Sequence, residues 1–215
     1  MHRIRSRFVL ATALLVVATL GGGLVAVAAS PNSAVSNREH FQDDMRTLWS
    51  DHMQWTYATV DSFFHNQDAL PATLARLLRN QEEIGAAIVP FFGQEAGDQL
   101  TELLTTHINQ AVPVLVAAQA GDQAGLEQAL ADWYANAQDI ANFLSAANPK
   151  HWPSSVMSSM METHITQTTT YAVDLLNGDY EASIENFDEA RHHMMMFADI
   201  LAEGIIRQFP NKFAR

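Results

Sequence analysis

One arrangement of apolar residues recurs three times around a histidine, and it fits a helix and no other element. The histidines are His52, His107 and His164, in LWSDHMQWT, LLTTHINQA and MMETHITQT, at steps of 55 and 57 residues. Seven positions before them stand Met45, Leu100 and Met157. Four before stand Leu48, Leu103 and Met160, and three before stand Trp49, Leu104 and Met161. Four after stand the small residues Thr56, Ala111 and Thr168. A helix puts these offsets on one face, whereas a strand would scatter them over two. Each histidine therefore lies on a stripe that faces inward.

Breakers and caps divide the chain into six helices. The first is expected from about Asn37 to Phe64, and the second from Pro71, a favoured first helical position, to about Val89 before Pro90. The third covers about Gln94 to Gln119 with Pro113 inside it, and the fourth about Gln123 to Ala146. The fifth follows Trp152-Pro153 and ends near Asn177-Gly178, and the sixth runs from about Tyr180 to Gln208. No segment alternates as a strand does. The even helices repeat as well. Asn80, Glu83 and Ile84 in NQEEIGAAI correspond to Asn136, Asp139 and Ile140 in NAQDIANFL, and to Met196, Asp199 and Ile200 in MFADILAEG. The expected fold is an all-α six-helix bundle of three helical hairpins, about 39–91, 94–147 and 153–209, within one domain over 39–213. Residues equidistant from a hairpin turn stand at equal height. By that rule His52 is level with Glu83, His107 with Asp139, and His164 with Asp199. Packed side by side, the hairpins would bring three histidines and three carboxylates into one layer.

Residues 1–30 read differently. Arg3, Arg5 and Arg7 precede an uncharged run from Phe8 to Ala29, with Ala26-Val27-Ala28 as a possible cleavage site. This is a signal peptide or a signal anchor, followed by a short linker over 31–38. The glycines Gly21, Gly22 and Gly23 favour the cleaved form. In the anchored form residues 8–29 would tether the domain to a membrane. Either way the domain is expected outside the cytoplasm, exported or held at the cell envelope.

Past residue 30 the chain carries 9 Lys and Arg against 24 Asp and Glu, a formal charge of −15. Nucleic acid and anionic membrane surfaces are excluded as partners on that balance. With no cysteine there are neither disulfides nor thiol chemistry, and a domain this size can bury a core without them. The chain also lacks a G-x-S-x-G elbow, a glycine-rich phosphate loop and a C-x-x-C-H haem attachment.

A layer of imidazoles and carboxylates has the donor set of a metal site. Zinc, iron, manganese and copper take these ligands, and helical bundles build such sites from facing helices. The candidate ligands are His52, His107 and His164, with Glu83, Asp139 and Asp199 as ligands or as partners of the far ring nitrogens. His193 and Glu189, four residues apart on one stripe of the sixth helix, form a second candidate pair. The acids lie on the flanks of their apolar faces, and Asn80 and Asn136 lie closer to the face, where they could bond the histidines instead. A layer copied for purely structural reasons, in a non-enzymatic envelope protein, remains open. So does a haem or small-ligand site in the core. No residue is marked as catalytic.

LWSDHMQWT, NQEEIGAAIVPFFG and HMMMFADILAEGIIRQFP together resemble a family of small exported bacterial proteins of unknown function, over most of residues 40–213. Some of its members carry a glycosyltransferase label, for which this chain holds no motif. The resemblance implies export and a helical fold, and implies nothing about mechanism.

Overall fold

In the computed structural model, which describes residues 36–214, the chain is all-α. Six long helices are α1 (Asn37–His65), α2 (Leu70–Phe92), α3 (Gln94–Ala120), α4 (Gln123–Ala147), α5 (Ser154–Asn177) and α6 (Tyr180–Gln208). A last single turn, α7 (Pro210–Phe213), follows them. Each long helix packs on its neighbours in chain order, and α6 returns to α1, so the six close into a ring. Across the ring α5 also meets α1 and α3. The odd-numbered helices, which carry the stripes of the three histidines, thus share the interior.

Local chemistry sets the ends of the elements. Ser36 caps α1 in a reciprocal pair with Glu39, satisfying two backbone donors at once. The turns after α3 and α5 share one design. Gly121 and Gly178 adopt the left-handed conformation (φ 66° and 75°), which costs glycine nothing and other residues more. The residue after each glycine, Asp122 and Asp179, reaches back with its N–H to Ala117 and Asp174. The same aspartates then cap α4 and α6 through Gly125 and Ala182. Each turn therefore ends one helix and starts the next within two residues.

Two elements differ from expectation. Helix α2 runs through Pro90 to Phe92 instead of stopping before it. Proline holds a helical φ and forfeits only the bond of its own missing N–H, so the last turn survives until Gly93. The short α7 was not anticipated; it folds Phe213 back onto Phe91, with ring planes 10° apart.

The end of the bundle where α1 begins is densely packed. Phe41, Phe91, Phe92, Phe209, Phe213 and Trp152 interlock there at ring separations of 5.1–5.8 Å. Trp152 donates its indole N–H to the Ile200 carbonyl at 3.2 Å, and Asn148 donates to the Gly204 carbonyl at 2.9 Å. These bonds fix the α4–α5 connection against α6. Where α2 meets α3 the backbones touch: a Cβ on Gly85 would lie 2.6 Å from the Gly97 carbonyl oxygen, so only glycine fits.

Candidate functional site

The three histidine helices bring their imidazoles together midway along the bundle. The ring of His164 lies 5.5 Å from that of His52 and 5.8 Å from that of His107, centre to centre. All three are buried, at 2–3% exposure. Burial disfavours their charged forms and pushes His52 down to about 3 and His107 to about 4. His164 is held well below the ordinary imidazole range by burial, and then by its neighbours His52, His107 and His193. The layer is therefore neutral at pH 7.

Hydrogen bonds fix the tautomer of His107. Asn136 donates through Nδ2 to the Leu103 carbonyl at 3.2 Å, so its Oδ1 is left as an acceptor, 2.9 Å from His107 Nδ1. His107 must donate from Nδ1, which makes Nε2 a lone-pair acceptor, and that atom is buried without a partner. Beside His52, the Gln81 amide nitrogen donates to the Leu77 carbonyl at 2.7 Å and lies 3.3 Å from Asn80 Oδ1 and 3.4 Å from His52 Nδ1. His164 Nδ1 is buried and unpartnered.

A clamp of one kind recurs beside each histidine. Asn80 donates to the Leu48 carbonyl at 3.0 Å, Asn136 to that of Leu103, and His193, through Nε2, to that of Met160 at 2.9 Å. Each of these carbonyls belongs to the residue four places before a layer histidine. His193, rather than Met196, thus takes the place of the asparagine in the sixth helix. The acid–Ile resemblance of MFADILAEG is out of step with this bond by three residues.

The structure does not bring the candidate carboxylates into the layer. Glu83 is held on the surface by Arg76 and Arg79, and Asp199 by a two-pronged contact with Arg46 at 2.6 and 2.7 Å. Asp139 and Glu189 are exposed. The flank positions that made these acids ambiguous in sequence are near enough to solvent for arginine to claim two of the four, Glu83 and Asp199. Among the described residues no group of three or more histidine, aspartate or glutamate side chains is placed to hold a metal ion.

A cavity lies against the layer instead. It has a volume of about 160 Å³ and extends from His52, His107 and His164 toward the end of the bundle where the α1–α2 and α3–α4 turns lie. Its wall is almost wholly apolar, built from α1 to α5 by side chains such as Val60, Leu77, Ile108, Val114 and Trp133. Val112 and Val173, which also line it, are exposed and mark where the wall meets the surface. Helix α6 contributes nothing, because its share of this end is filled by Tyr57, Tyr171 and Phe187, whose rings lie 4.7–5.7 Å apart. The offsets that separate the histidines carry Thr59 to Val114 and on to Tyr171. Two small residues thus leave open what a tyrosine fills at the third position.

Sequence reading missed Gln81, Trp133 and the cavity. Trp133 packs 5.2 Å from the His107 ring, and its indole N–H is buried without a partner. Its tryptophan identity on the buried stripe of α4 was the available signal. The predicted export segment, residues 1–30, and most of the linker lie outside the described residues, among which no helix is long and apolar enough to cross a membrane. No family model, curated protein or solved structure matches the chain.

Proposed function

We propose that this chain is an exported ligand-binding module of three hairpin repeats, which holds one small apolar molecule against its histidine layer. The observation that carries the reading is the cavity itself. A well-packed interior has few voids larger than a water molecule, and a 160 Å³ apolar void forfeits dispersion contacts along its whole wall. An apolar cavity of about 150 Å³ is known to stay dry and to take up benzene or xenon. The space here suits one six-membered ring, and a porphyrin would need far more room. Because the layer is uncharged, it adds polar contacts without the cost of a buried ion. No catalytic role is assigned.

The test is binding of toluene, followed by calorimetry and by its effect on the melting temperature. Saturable binding is expected in the wild type and lost in Val114→Phe, which puts a ring where Tyr171 stands in the third hairpin. A wild type that takes up no toluene, and no xenon under pressure, refutes the reading.

Metal ligation by His52, His107 and His164 is the second reading, favoured by the two close ring separations and by imidazoles that are already neutral. It requires the rings to turn toward a common point and leaves a dication without carboxylate compensation. Zinc, copper, iron or manganese retained by the purified protein and lost in His107→Ala would support it. A metal-free protein that takes up none of them excludes it.

A further inference from the structure

The polar part of the cavity wall has a specific donor and acceptor pattern. His107 Nε2 is an acceptor, since Asn136 fixes the proton on Nδ1. Trp133 Nε1 is a donor and nothing else. Both atoms are buried and unpartnered, both rings line the cavity, and the rings are 5.2 Å apart. A buried unpartnered polar atom costs more than its bond would gain, so a ligand that satisfies both atoms gains over one that satisfies neither.

From this pattern we infer that the cavity selects a small neutral ring compound bearing one hydroxyl, a phenol or cyclic alcohol, whose O–H donates to His107 Nε2 and whose oxygen accepts from Trp133 Nε1–H. A hydroxyl is the smallest group that both donates and accepts from one atom. An ether accepts only, and a hydrocarbon does neither. A carboxylate would bring a charge into a wall that holds no cation and would lose its hydration without return. The inference rests on the ligand-binding reading above and narrows it to a chemical class.

Phenol, anisole and toluene, titrated into the wild-type protein at pH 7.5, separate these possibilities. They share one ring and differ in donor and acceptor. Phenol is expected to bind about tenfold more tightly than toluene, with anisole between them, as one or two buried hydrogen bonds imply. His107→Leu and Trp133→Phe keep the wall apolar and are expected to bring phenol and toluene within about threefold of each other. In the wild type, the ¹⁵N resonance of His107 Nε2 is expected to shift with phenol and not with toluene, a readout that requires no variant to fold. Equal affinities for the three compounds, or a phenol preference that survives both substitutions, overturn the inference and leave the cavity reading intact. Failure of all three to bind overturns both.

Discussion

The two ends of this bundle use the same six helices and solve the packing problem in opposite ways. At the end where α1 begins, six aromatic rings close over the core, and the void among Met45, Ile84, Leu104, Trp152 and Ile205 is only about 20 Å³. At the other end, beyond the histidines, the void is about 160 Å³. The packed end pairs Asn148 and Trp152 with backbone carbonyls and leaves one indole N–H, that of Trp49, without a partner. The hollow end leaves His107 Nε2, His164 Nδ1 and Trp133 Nε1 without partners. Stability is concentrated at one end, and unspent binding capacity at the other.

Acid should expose that difference most strongly. The three histidines have folded-state affinities for protons below the unfolded value of about 6.5, so the unfolded chain takes up protons first as the pH falls. Their contribution is complete above that value and declines as the pH drops toward the folded values, about 3 for His52 and 4 for His107. Each histidine should cost about 1.4 kcal/mol per pH unit, so the layer loses up to about 6 kcal/mol between pH 6.5 and 5. Urea unfolding at pH 7 and pH 5 measures this directly. Equal stabilities would mean that the layer is open to protons in the folded state.

Removing an anchor of the packed end should rank next. Trp152→Ala is expected to cost about 3–5 kcal/mol in the same urea assay, because the end has no slack to absorb the loss. Adding volume gives the sharper contrast. Ala202, fully buried on α6, should tolerate leucine poorly, at about 1–3 kcal/mol. Val114→Phe adds a comparable bulk, a whole ring in place of two methyls, at the hollow end and should cost less than about 1 kcal/mol, since it fills space that exists. Matching costs for the two would remove the distinction between the ends. The smallest effect belongs to the surface acids. Asp199→Asn breaks an exposed pair with Arg46 and should change the melting midpoint by less than about 1 kcal/mol equivalent, and less again in high salt.

Much of this molecule could be read from its pattern of apolar residues. The helical stripes are local, so the inward position of His52, His107 and His164 followed from spacing alone, and their recurrence implied convergence. The partners of those histidines were harder. Asn136 does bond His107, but beside His52 the work passes to Gln81 while Asn80 turns to a carbonyl, a choice between adjacent residues that spacing cannot make. The acids were level with the histidines by arithmetic, yet Arg46, Arg76 and Arg79 draw Asp199 and Glu83 outward. Height along a hairpin fixes position on the axis and leaves rotation about it free. The cavity was out of reach for a different reason: a void is a property of side chains from five helices jointly, and no single segment encodes it.

The carbonyl clamps restrict how such a molecule can move. Asn80, Asn136 and His193 each grip the histidine helix of their own hairpin at one fixed carbonyl. Sliding a return helix along its partner by a turn, about 5.4 Å, would break that grip, so shear within a hairpin is blocked. Asn148 and Trp152 tie the α4–α5 connection to α6 at the packed end. Among the described residues the hollow end has no such tie across α3 and α5, whose Val112 and Val173 line the cavity and meet the solvent.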